Sequence, residues 1–127
     1  MAVSQNFETI SVAASGDIST NQFRIVHIDG SGEVAASSAA TDKVTGILLN
    51  KPAAQGRAAQ VAISGRVKME AGAVIDEGDA IRAVTGGRGS ATTTSGDWYV
   101  GLAATSAAGS GSFFECIIKP ARYAGTA

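Results

Sequence analysis

Large side chains are scarce in this chain. Aromatics make up only 6% of its 127 residues, with one Trp, two Tyr and four Phe. A small supply of bulky apolar groups makes a thin core, and association between copies is one common remedy. Proline is limited to Pro52 and Pro120. The single cysteine, Cys116, excludes an intrachain disulfide framework and fits synthesis in a reducing cytoplasm. The single histidine, His27, has no second histidine to join it in a zinc site. Apolar runs are only a few residues long, so nothing reads as a membrane span. The opening MAVSQNFETISV has neither a basic n-region nor an apolar h-region, so it does not read as a secretory signal. Ten Lys+Arg stand against eleven Asp+Glu, for a net charge of -1. A nucleic-acid partner would favour a basic stripe, which that balance does not supply. Neither nucleic acid nor a membrane is an expected partner.

What the chain does have is glycine, alanine and short alternating segments. Residues 61–81, VAISGRVKMEAGAVIDEGDAI, organise the rest. They read as a strand carrying Val61 and Ile63, a break at Gly65, a second strand carrying Val67 and Met69, and a turn-rich stretch to Asp79. Val67 and Met69 alternate with Arg66, Lys68 and Glu70, the period of two that marks a half-buried strand. Further strands are predicted at 23–29 (FRIVHID), 44–50 (VTGILLN), 58–64, 79–84, 98–103 (WYVGLA) and 113–119 (FFECIIK). Residues 85–96 and 104–112 read as loops. A helix over 35–40 is disfavoured by Ser37, Ser38 and the lack of an apolar face.

This stretch also joins two halves that resemble each other. Gly46-Ile47 matches Gly101-Leu102, Gly56 matches Gly111, Val61 matches Cys116 and Ile63 matches Ile118, each 55 residues on. Upstream, Ile18 followed by Gln22 echoes Ile75 followed by Asp79. A unit repeated only twice does not make a solenoid. The expected fold is all-β, a small single-domain barrel or sandwich built from two similar β-units with an extended N-terminal arm. The arm is residues 1–15, the β domain 16–120 and a short tail 121–127. Within the arm only Phe7, Ile10 and Val12 are sizeable apolar anchors, so it reads as loose or extended in the free protein.

The candidates for chemistry are weak. His27, between Val26 and Ile28, reads as structural or interfacial, and a Ser-His-Asp triad would need both partners from afar. Cys116 lies in an apolar strand, where a thiol is inert. Lys68 in VKME has a superficial likeness to the carrier lysine of biotinyl domains, but it reads as mid-strand rather than at a hairpin tip. The DGSGE run at 29–33 opens like a calcium loop and lacks the distal ligands, so a hairpin turn explains it. The acidic DEGD at 76–79 is equally well explained as a turn. The GGRG at 86–89 is a flexible loop, and no Gly-rich stretch opens a helix to cradle phosphate. Trp98-Tyr99 is the main aromatic pair, divided between a core anchor and an oligomer interface. No nucleophile, base and orienting group assemble into a set, so neither catalysis nor a cofactor or metal is expected.

The layout from residue 17 to residue 120 resembles the head decoration (cement) proteins of tailed bacteriophages. The resemblance rests on the order and spacing of VTGILLN, AAQVAISGRVKMEAG, IDEGDAI, WYVGLA and FFECIIKP. It implies a homotrimer on the outer surface of a virion, cementing the shell at three-fold or quasi-three-fold positions with the major capsid protein as partner. It also implies an arm that contacts the shell, for which Phe7, Ile10 and Val12 are the candidates, with Trp98 and Tyr99 as candidates for the trimer interface. The alternative is a β-barrel carrier or ligand-binding module of a larger complex.

Overall fold

The computed structural model describes the backbone of residues 5–124 and the side chains of residues 8–124. Nine strands run β1 (Gln5–Ala13), β2 (Ile25–Ile28), β3 (Val34–Ala36), β4 (Val44–Leu48), β5 (Ala58–Glu70), β6 (Ala80–Ala83), β7 (Gly89–Thr92), β8 (Trp98–Ala103) and β9 (Phe113–Arg122). Two 3-10 turns, Ser19–Asn21 and Thr85–Gly87, are the only helical elements among the described residues. The chain is all-β, a single curled antiparallel sheet made of two similar units, as expected.

The duplication holds pair by pair. In the first unit β2 pairs with β3 through Val26↔Ala36 and Ile28↔Val34, and with β4 through Ile25↔Ile47. In the second unit β6 pairs with β7 through Ile81↔Ala91 and Ala83↔Gly89, and with β8 through Ala80↔Leu102. Every one of these positions moves by the same 55 residues. The pairing Leu48↔Val61 between β4 and β5 returns as Ala103↔Cys116 between β8 and β9. Backbone hydrogen bonds repeat as well: the Leu48 amide donates to Arg24 O at 3.0 Å, and the Ala103 amide to Asp79 O at 2.9 Å. Asp79 therefore matches Arg24 rather than Gln22. The first unit carries two additional residues between Ile18 and Asn21, taken up in its 3-10 turn.

Gly46 and Gly101 show why this spacing is enforced. A Cβ on Gly46 would lie 2.0 Å from Ala62 O, and one on Gly101 would lie 1.9 Å from Ile117 O. No side chain fits where the neighbouring backbone approaches so closely, so each unit keeps glycine inside that strand.

β5 corrects the expected break at Gly65. The strand is continuous through Gly65, which bends it with φ +92. Its first part closes the first unit, and its second part opens the second. β1 pairs with the first part through Ile10↔Val61 and Val12↔Ala59. The second part pairs with β9 through Val67↔Cys116 and Met69↔Phe114. β1 thus does in the first unit what residues 65–70 do in the second. Each sheet curls until its leading strand meets the hairpin at one parallel bridge, Ala14↔Val34 in the first unit and Ala71↔Gly89 in the second. Curling in this way leaves less unpaired strand edge.

The N-terminal segment is extended, as predicted, but it is a paired strand and not a loose arm. Two other boundaries shift. The loop expected at 85–96 contains β7, whose small polar GSAT carries no apolar alternation. β9 reaches into the expected tail, where Ala121 pairs with Tyr99 and Arg122 with Trp98. Residues 35–40 form no helix: Ala35 and Ala36 end β3 and the chain turns after them.

Two packed clusters fill the molecule. The smaller, Ala14, Ile18, Val26, Val34, Leu48, Ala59 and Val61, is the interior of the first unit, with Ile10, Val12 and Ile63 packed against it. The larger contains the second unit's interior, including Met69, Ile75, Ile81, Phe114 and Cys116, and extends to Ile25, Val44, Ile47 and Ala62 of the first unit. β4 lies against β8 and β9. The outer side of the first unit therefore seals the second.

Candidate interaction surface

The row Ile25, Ile47, Ala62 runs across β2, β4 and β5 of the first unit, and all three side chains are completely buried. The matching row in the second unit is Ala80, Leu102, Ile117. Here Leu102 is 42% exposed and Ile117 48% exposed. Phe113 stands further along β9, also on the surface, and Val74 is exposed in the connection between β5 and β6. Exposed apolar residues are ordinary when single, but adjacent ones on one sheet face form a surface suited to a partner.

Charge frames this surface. Arg66, paired with Ile117 across β5 and β9, makes a salt bridge through its Nε to the buried Glu115 carboxylate. Lys68 sits opposite Glu115 and holds its Nζ 4.6 Å from the Phe113 ring centre and 4.9 Å from that of Phe23. The two rings meet edge to face at 6.0 Å. Both contacts lie within the range of cation–π attraction. Phe23 occupies the left-handed region, φ +64, where its match in the second unit is Gly78, φ +88. A bulky residue is a true outlier there. The strain is retained where the ring packs against Phe113.

Glu70 clamps the junction of the units. Its carboxylate accepts from Arg24 Nε of the first unit at 3.2 Å and from Arg88 Nε of the second at 2.7 Å. Asn21 Nδ2 and Arg24 Nη1 also donate to Gly86 O, at 3.0 and 3.3 Å. Gly86 and Arg88 of the GGRG segment are thus part of a fixed turn.

The predicted site residues are not brought together. Ile10 and Val12 turn inward against the first unit's interior, matching the buried Val67 and Met69 of the second. They are half-buried residues of a paired strand rather than of a loose arm. Phe7 belongs to β1, and its side chain lies outside those described. Trp98 packs partly buried against the larger cluster, and its amide donates to Ala40 O at 2.8 Å, tying the second unit to the first. Tyr99 packs edge to face with Tyr123, with ring centres 6.2 Å apart.

The remaining candidates have structural partners. His27 Nδ1 is 3.0 Å from Ser37 Oγ. Cys116 is fully buried, and burial pushes its thiol up to about 12 from 9.0, away from reactivity. Asp29 Oδ1 accepts from the Ser31 and Glu33 amides at 2.9 and 3.0 Å, and Asp79 Oδ2 from the Asp76 amide at 2.9 Å. These carboxylates cap turns. Among the described residues no pocket opens and no cluster of His, Cys, Asp and Glu is arranged to hold a metal ion. No described helix is long and apolar enough to cross a membrane.

Leu102 and Ile117 were missed by sequence reasoning. The repeat aligns Leu102 with Ile47 and Ile117 with Ala62; both matches are fully buried, so no sequence signal marks Leu102 and Ile117 as exposed. What the fold and this surface define is a duplicated all-β protein that offers an apolar sheet face. No protein-family model matches the chain, and no curated protein matches its sequence.

Proposed function

We propose that this chain is a structural virion protein rather than an enzyme: a decoration protein that binds the outer surface of a phage capsid and cements the shell as a homotrimer. The observation that supports it most is the exposed apolar row on β8 and β9, set on a regular, tightly hydrogen-bonded frame. A frame of this kind associates by shape and apolar burial. The segments on which the resemblance rests form that frame: VTGILLN contains β4 and WYVGLA is β8, the same strand of the two units. The carrier reading gains no support, because Lys68 lies mid-strand against two rings instead of at a hairpin tip.

The test is co-sedimentation with undecorated shells of the major capsid protein of the phage that encodes this chain. Saturation at three copies per three-fold position supports the reading. Absence of the protein from the shell fraction, with the folded protein left in the supernatant, overturns it.

A further inference from the structure

We infer that copies of this chain associate head to tail, with the Leu102–Ile117 face of one copy seated on the first unit of the next at Ile10, Val12 and Ile63. The inference rests on the homotrimer of the proposed function and names the surfaces that form it.

The contact already exists once inside the chain. The first unit's outer row, Ile25, Ile47 and Ala62, shares one packed cluster with Val67, Met69, Val100 and Ile118 of the second unit. Those second-unit residues are sealed, Ile118 retaining only 5% exposure. Their matches in the first unit are Ile10, Val12, Thr45 and Ile63, and every one is only half-buried. In the second unit's outer row Ala80 is buried, but Leu102 and Ile117 are open where their first-unit matches are closed. A single contact therefore leaves two complementary remainders, the exposed Leu102 and Ile117 of the second unit's outer row and a half-buried receiving side on the first. Both consist of residues whose repeat matches are buried against each other. A second copy of this chain carries both surfaces, so it is the occupant whose shape is already specified.

Two different patches in contact make a heterologous interface, which closes into a ring when the rotation between copies permits. Three copies would place six units around one axis, the symmetry that a three-fold capsid position calls for. A patch that paired with its own copy would give a two-fold dimer instead.

The experiment uses the double variant Leu102→Asp, Ile117→Asp. Both side chains are exposed, so the fold should survive, and circular dichroism with a thermal melt checks that. Sedimentation equilibrium at micromolar concentration should show an oligomer for the wild type. For the variant, association should be roughly a hundredfold weaker or more, on the order of 3 kcal/mol. The variant's isoleucine methyls are then isotope-labelled and titrated with unlabelled wild-type chain. Head-to-tail seating shifts the Ile10 and Ile63 methyl resonances, because the variant's first unit is intact. A wild-type monomer, an unweakened variant, or unmoved Ile10 and Ile63 methyls overturns the inference. These measurements contain no capsid, so failure to bind shells would count against the proposed function alone.

Discussion

The two units share their pairings, their register and their closely approached glycines, yet they are finished differently. The first has a separate leading strand, β1, and an outer row covered by its sibling. The second borrows its leading strand from the end of β5 and leaves Leu102 and Ile117 of its outer row exposed. Duplication preserved what backbone hydrogen bonding and close approach demand, while the surfaces diverged according to what covers them. The side chain at a given repeat position is fixed where a Cβ has no room and free where it meets only solvent or a sibling.

Removing residues 1–12 would break the comparison most severely. The first unit would lose most of its leading strand and the packing of Ile10 and Val12, and β5 would lose its β1 partner along residues 59–66 while keeping its pairings with β4 and β9. The expected loss is at least ~4 kcal/mol, comparable to the whole stability of many domains. Urea titration should show a truncated protein that is unfolded or barely folded.

Next in size are Gly46→Ala and Gly101→Ala. Each drives a methyl into a carbonyl oxygen of the adjacent strand, so each should cost at least ~3 kcal/mol. The two losses should agree within about 1 kcal/mol if the units are equivalent. A mild effect at one position and a severe one at the other would show that the glycines do not serve the same purpose.

Glu70→Ala tests the junction. It removes the shared acceptor of Arg24 and Arg88 and strands two guanidinium groups that are partly shielded from water. A cost of about 2 kcal/mol is expected, below the fully buried limit because Arg88 reaches solvent. The match of Glu70 in the first unit is Ala13, on the surface, so no corresponding clamp exists there.

The smallest effect belongs to Phe23→Gly, which gives the first unit the residue of the second. Relief of the left-handed backbone, worth about 1–2 kcal/mol, is offset by loss of the ring contacts with Phe113 and Lys68. Chemical denaturation should place the variant within ~1 kcal/mol of the parent. A gain well beyond that would mean that the ring contributes little to the fold.

Much of this architecture was legible in the residues. The glycines at 46 and 101 and the apolar positions at 61 and 116 carry the offset openly, because a close backbone approach and a buried strand leave few choices. β1 was harder to read, since Glu8, Thr9, Ser11 and Ala13 on its exposed side outnumber Ile10 and Val12. β7 was hidden because its pairing relies on backbone bonds with little side-chain signal. Gly65 looked like a terminator and is a bend, a choice that local sequence does not decide. The apolar surface was hidden for another reason: Leu102 and Ile117 are as apolar as Ile47 and Ala62, and only tertiary packing separates exposed from buried.

Amide hydrogen exchange of the free protein tests the two-unit account most directly, because it reads β1 and its counterpart in the same molecule. If β1 is the leading strand of the first unit, residues 9–13 should show protection of the same order as residues 66–70. If instead residues 9–13 exchange at the rate of an unstructured peptide while 66–70 stay protected, β1 is a loose arm and the equivalence of the two units fails.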